Sequence, residues 1–275
     1  MKHRIDPKVD CVFKALLGSE ENRNLLIHFL NAILANELAA PITSVEILNP
    51  YNEKEFITDK LSIVDVKARD EKQHLYQVEI QLINRAYLPE RIVYNWADIY
   101  SQQLHSGDDY TLLKPTYAIW LLAENLLKND DDYLHCYKLR DQKNRNLIDG
   151  GIWLLELTKF SASSIKSEDE RWLKFFKDGE ELDDTTLPDW MSTSEMRQAM
   201  TTLSVFSEKE RAYFQYQARK EYLREQFMIQ KELKEKETAL KEKAVALQQL
   251  QEAEQREKVA LLEIERLKAL LNKQS

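Results

Sequence analysis

Between Asn22 and Glu37, Leu25, Leu26, Phe29, Leu30, Ile33 and Leu34 recur at helical spacing, so this stretch predicts an amphipathic helix that Pro41 stops. The period then changes. Short runs rich in β-branched and aromatic residues follow at 42–48, 61–68, 75–83, 116–123, 135–139 and 152–157, and each reads as a strand. Between the third and fourth runs, Pro89–Ser106 reads as a helix ending ahead of Gly107. Helix, three strands, helix, strand is an αβββαβ order. Three successive strands before the crossover helix imply a hairpin meander inside a mixed α/β sheet.

Beyond residue 160 the pattern is different. Residues 161–206 are acidic, with a Trp-containing helical stretch and a DDTTLPDW loop. All five glycines lie at or before Gly179 and the last proline is Pro188, so the final 87 residues hold neither helix breaker. Within this tail, Ile229, Leu233, Leu240, Leu247, Leu250, Leu261, Ile264 and Leu271 lie on one heptad seam of alternating four- and three-residue steps. The same seam passes through Lys236, Lys243, Glu254, Glu257 and Lys268. Such a seam suits an interrupted coiled coil, and the composition also suits a solvated helix laced by i,i+4 ion pairs. The resulting division is a core at 1–160, an acidic helical connector at 161–206 and a long helix or coiled coil at 207–275.

Composition narrows the function classes. With 43% hydrophobic residues in 275 the chain can bury a substantial core, and no run approaches the ~20 apolar residues of a membrane span. No secretory signal is evident at the N-terminus, and Cys11 and Cys136 lack metal-type spacing, so the expected setting is cytoplasmic. Net charge is −8 and uneven. Residues 207–275 carry 15 Lys+Arg against 13 Asp+Glu, while 1–206 carry 24 against 34. An acidic body is a poor sequence-independent ligand for phosphate backbones, so any nucleic-acid chemistry needs a local basic groove or a metal. P-loop, dinucleotide-fingerprint and HExxH patterns are missing, which removes support for nucleotide hydrolysis and zinc proteolysis.

The chemistry-bearing residues sit in the strands LSIVDVKARD and LYQVEIQLI. A turn centred near Lys72 gives an antiparallel hairpin in which paired residue numbers sum to 144, so Asp65 stands across from Glu79. Alternation then groups Asp65, Lys67, Gln77, Glu79 and Gln81 on one face and Val64, Val66, Ala68, Tyr76, Val78 and Ile80 on the core face. Facing carboxylates repel unless a cation lies between them. A carboxylate pair with a backbone carbonyl suits octahedral Mg²⁺; a polar, solvent-facing hairpin relieved by Lys67 satisfies the same spacing. Asp10 and Lys14, one turn apart, are spaced for a helix-surface ion pair. Arg91, Tyr94 and Gln102 can share one helix face, open to a DNA backbone or simply to solvent and core.

These residues carry a resemblance. The stretches DPKVDCVFKALLGSEENRNLLIHFLNAIL, SIVDVKARD, YQVEIQL, ERIVYNWADIYSQQLHSGDDY and IWLLELTKF, in order over roughly residues 6–160, resemble the Rpn family of recombination-promoting nucleases, also labelled transposases, within the PD-(D/E)XK superfamily. The resemblance implies a restriction-endonuclease-like core and Mg²⁺-dependent cleavage of DNA phosphodiesters, with Mn²⁺ as a substitute. It assigns Asp65 and Glu79 as metal ligands with the Ile80 carbonyl as a third, and Asp10 as a further acidic contributor. The superfamily's lysine lies two residues after the glutamate; here that position is Gln81, which can hold water but carries no charge. Lys67 is then the candidate for a displaced lysine. DNA is the implied partner, with a homo-oligomer, most simply a dimer, through the coiled coil. The rival expectation is an inactive nuclease fold serving as a coiled-coil assembly or regulatory module.

Overall fold

A computed structural model describes residues 2–48 and 65–271, the side chains of 261, 263 and 265–271 aside. Two helices open the chain, α1 (Asp10–Leu17) and α2 (Arg23–Ile33), followed by β1 (Val45–Leu48), β2 (Val66–Asp70) and β3 (Leu75–Gln81). The crossover helix α3 (Leu88–Ser101) leads to β4 (Thr116–Leu122), β5 (Leu134–Tyr137) and β6 (Gly150–Glu156). Three helices complete the fold: α4 (Glu168–Asp178), α5 (Ser194–Glu208) and α6 (Glu210–Leu271). The strand expected at 61–68 is described only from Val66 onward; its residues 61–64, Val64 among them, lie outside the described residues.

The six strands form one mixed sheet in the order β1-β2-β3-β4-β6-β5. β1, β2 and β3 are the expected antiparallel meander, β4 and β6 continue it in parallel, and β5 closes the far edge antiparallel to β6. With the crossover helix between β3 and β4, this is the restriction-endonuclease-like arrangement. β6 approaches β4 closely at Gly150, where φ is +92° and a Cβ would stand 2.4 Å from the Thr116 carbonyl oxygen, so only glycine fits.

Both sheet faces are covered. α3 lays Leu88 and Ile92 on Ala118, Trp120, Leu122, Ile152 and Leu154. The opposite face, with Val66, Ala68, Tyr76 and Val78, is buried as well, and the C-terminus of α1 at Gly18 lies against Val66. Here α1, α2, α4 and α5 pack together. α4 is acidic outside and aromatic inside: Trp172 stacks on Phe176 and meets Phe29 edge-on, with centroids 5.8 and 5.6 Å apart. Burying such rings contributes a few kcal/mol each, about 1.5–3 for a fully buried large apolar side chain.

Two helices stop earlier than the pattern predicts. α2 ends at Ile33, and α3 ends at Ser101 well before Gly107. Just past the end of α3 the chain is tied to the segment ahead of β4. The Gln103 amide accepts from the Lys114 N–H (2.9 Å) and donates to the Lys114 carbonyl (3.0 Å), pulling the chain toward β4.

Residues 1–220 form one compact unit and 221–275 a second. Within the first, the N-terminal segment is tied to the start of α6. His3 stacks on Tyr213, and the Asp6 N–H donates to the buried Tyr216 hydroxyl at 3.1 Å. Among the described residues, no helix is long and apolar enough to cross a membrane.

Candidate active site

Asp70 sets the hairpin register. This buried carboxylate accepts from the Lys72 and His74 backbone N–H groups at 2.8 Å each, and from the Tyr76 hydroxyl at 2.9 Å. With Gln73 in the left-handed region (φ +68°), the turn is closed at Asp70–His74. The pairs Val66↔Val78, Lys67↔Gln77 and Ala68↔Tyr76 follow, the register that the hairpin symmetry predicts. Extended by one residue, it brings Asp65 to Glu79. The Asp65 carboxylate indeed caps that edge of β3, its Oδ2 accepting from the Ile80 N–H at 3.1 Å. In an extended strand the N–H and C=O of one residue leave on the same side, so the Ile80 carbonyl faces this edge too.

Glu79 is only 2% exposed and Gln77 fully buried, although alternation alone allowed their face to meet solvent. β3 is central, flanked by β2 and β4, and α3 covers the face that carries Gln77, Glu79 and Gln81. Gln77 Nε2 donates to Glu79 Oε1 at 3.1 Å. Burial, with the Asp65 charge adding to it, pushes the Glu79 carboxyl up to about 8, against the opposing pull of the Gln77 hydrogen bond and the Arg91 charge.

Two cations approach this pair. Lys14 Nζ, from α1, lies 3.3 Å from Asp65 Oδ1. Arg91, from α3, places Nη2 3.9 Å from Glu79 Oε2 and donates from Nη1 to Gln81 Oε1 at 3.2 Å. Its guanidinium lies 5.4 Å above the ring of Trp120, the β4 residue paired with Glu79. Lys67 pairs in register with Gln77, diagonal to Glu79. Gln81 also donates from Nε2 to the Ile83 carbonyl at 2.6 Å, leaving one amide hydrogen and one oxygen lone pair beyond these two bonds.

Asp10 has a different partner: its Oδ1 accepts from Arg219 Nε of α6 at 2.9 Å, while Lys14 turns to Asp65. Tyr94 is exposed on α3, and Gln102 donates to Asp98 on the same helix at 3.0 Å, so an acidic residue interrupts the face that Arg91 begins. Among the described residues no cluster of three or more His, Cys, Asp or Glu side chains gathers as a metal site. The donors available are therefore the two carboxylates and a strand-edge carbonyl, all oxygen, a set that fits a hard divalent cation.

A two-carboxylate strand pair beside a crossover helix is the PD-(D/E)XK arrangement, and residues 7–232 match the family described as PD-(D/E)XK nuclease family transposase. The chain belongs to that family. Its function is accordingly of the nuclease and transposase kind. No curated protein and no solved structure matches the chain.

The PD-(D/E)XK pattern also sorts what the sequence conveyed. Asp65, Glu79 and Gln81 are brought together at the end of the β2–β3 hairpin. Lys14 and Arg91 reach the same place from helices 51 and 12 residues away in the chain from Asp65 and Glu79 respectively, and their approach depends on packing. Arg91 was legible in the sequence on a helix face that could meet a DNA backbone; its place beside Gln81 follows from lying ten residues on, on the crossover helix that must fold back over β3.

Proposed function

We propose that this chain is a metal-dependent DNA endonuclease that hydrolyses phosphodiester bonds in recombination or transposition. The observation that carries the reading is the buried Glu79 carboxylate beside Asp65, an arrangement costly to ionise without a cation. In this reading Asp65, Glu79 and the Ile80 carbonyl hold Mg²⁺, with Mn²⁺ able to replace it. The ion would lower the pKa of a bound water and offset the charge that develops on the phosphate.

The chain's own residues do the rest. Gln81 orients the attacking water through its remaining amide hydrogen and lone pair. Lys67, diagonal to Glu79, adds positive charge to the face. Asp10, the further acidic contributor expected from the resemblance, is paired with Arg219, so its part would be the indirect one of holding α1, which carries Lys14. In the reaction the water oxygen bonds to phosphorus as the bond to the leaving oxygen breaks. One water proton passes to the leaving oxygen and the other to solvent.

The arm supports a self-association reading. Ile229, Leu233, Leu240, Leu247 and Leu250 are all exposed along α6, Leu233 by 60%, and a second copy would cover them as a coiled-coil dimer. Two joined copies would present two sites to one duplex. Free cysteines at Cys11 and Cys136 suit a cytoplasmic setting.

Thermal stability with and without divalent ions tests the metal reading. Millimolar Mg²⁺ or Mn²⁺ should raise the Tm of the wild type, since any ligand of the folded state stabilises it, and Asp65→Ala should abolish the rise. An unchanged Tm in the wild type would favour the rival reading, an inactive fold in which Gln81 has replaced the motif lysine.

A further inference from the structure

Resting on the nuclease reading above, we propose that Arg91 replaces the motif lysine, with its guanidinium contacting the phosphodiester next to the Asp65–Glu79 pair. The motif position is occupied by Gln81, which can make hydrogen bonds but supplies no charge to a phosphate becoming more negative in its transition state. Arg91 touches that same residue: Nη1 donates to Gln81 Oε1 at 3.2 Å, and Nη2 stands 3.9 Å from Glu79 Oε2. The missing charge is thus restored at the site from the next helix.

Three features suit Arg91 to that task. The guanidinium lies 5.4 Å over Trp120, a fully buried ring held in register with Glu79, so the platform under it is rigid. Its side chain is nevertheless 37% exposed, so it is not sealed off from solvent. A guanidinium stays charged at every working pH and can bind two phosphate oxygens at once, as a lysine cannot. Lys14 is the competing cation, but it approaches from α1 and meets Asp65 at 3.3 Å. Lys67 stands across from Gln77, nearer the turn.

The test compares wild type, Arg91→Ala, Arg91→Lys, Lys14→Ala and the double variant Gln81→Lys/Arg91→Ala as full chains. Cleavage of supercoiled plasmid in Mn²⁺ is followed alongside duplex affinity in EDTA over a range of salt concentrations. Arg91→Ala should cut about 100-fold more slowly, the typical cost of losing one preorganised charge stabiliser, with Arg91→Lys in between. The slope of log affinity against log salt should fall by about 1 in Arg91→Ala, as expected for one lost phosphate contact. Gln81→Lys in the Arg91→Ala background should recover at least about tenfold of the rate by returning a charge to the same place. Arg91→Ala within threefold of wild-type cleavage, or an unchanged salt slope, would overturn the proposal, as would a larger loss in Lys14→Ala. A wild type that does not cut at all would instead remove the nuclease reading itself, and this proposal with it.

Discussion

Glu79 is where residue-scale chemistry is most exposed to test. Its carboxyl is pushed up to about 8 from an ordinary value of 4.5 by burial and by Asp65. The folded chain therefore keeps a proton that the unfolded chain releases, and the group's contribution to stability is full below pH 4.5 and lost as pH rises through 8. Without divalent ions, Tm should drop between pH 5 and pH 9, and Glu79→Gln should flatten that drop by several degrees while keeping the Gln77 hydrogen bond. Adding Mn²⁺ reverses the order: the wild type should gain stability above pH 8 and Glu79→Gln should not, because a metal needs the ionised carboxylate. A wild type and Glu79→Gln with parallel pH profiles would show that the carboxyl is not strained by its surroundings. At the same scale, the β2–β3 register, which carried on by one residue leads Asp65 to Glu79, was readable from the 144-sum symmetry alone. The burial of their face was not. Alternation reports which residues share a side, whereas solvent exposure on that side is decided by α3, which arrives from elsewhere in the chain.

Elements show the same division between local and distant causes. The β2–β3 turn is local. Asp70 accepts from two turn N–H groups and the buried Tyr76 hydroxyl, so Asp70→Ala should cost about 2 kcal/mol, chiefly by leaving that hydroxyl unpaired, measured by denaturant unfolding. Because that turn fixes the register, the variant should also lose the Mn²⁺ response when assayed under conditions where it is folded. Helix α4 is the opposite case. Its sequence EDERWLKFFKD reads as a Trp-containing helix in an acidic region, and the structure adds that Trp172, Leu173, Phe175 and Phe176 are all buried. Trp172→Ala should cost about 3–5 kcal/mol, the range for deleting a large aromatic from a packed core. A cost under 1 kcal/mol would mean the α4 layer contributes little to the body. Composition hid this role, because the helix's acidic residues outnumber its aromatic ones while only the aromatic face packs. The C-terminal end of α3 was likewise hidden, since Gln103 bonds the Lys114 backbone, a partner that lies beyond any local helix rule.

At the scale of the whole molecule, residues 1–206 carry the net negative charge and the tail is slightly positive. On the proposed nuclease function, a site in an acidic body would have to draw DNA by local charge, and Lys14 beside Asp65 and Arg91 beside Glu79 are the cations placed to supply it. Chain organisation follows from where contacts stop. Tyr216, Arg219 and Lys220 still bind Asp6, Asp10 and Glu180, so a chain ending at Lys220 keeps the body's ties and loses the exposed apolar seam. Such a chain should sediment as a monomer, with a body Tm within about 2 °C of the full chain at equal protomer concentration, while the full chain sediments as a dimer. Equal protomer association in both would remove the coiled-coil account. The break after Pro188 was legible because glycine and proline vanish together; the tethering of α6 through residue 220 was not, since it rests on single contacts to the N-terminal segment.

Cleavage of supercoiled plasmid tests the central claim most directly, with wild type and Glu79→Gln each assayed in Mg²⁺, in Mn²⁺ and in EDTA. The account predicts nicking or linearisation by the wild type in either cation, none in EDTA, and at least a 100-fold loss in Glu79→Gln, about the effect of removing one essential charge from such a site. Intact plasmid with folded wild type in both cations, or equal cutting by Glu79→Gln, would contradict it.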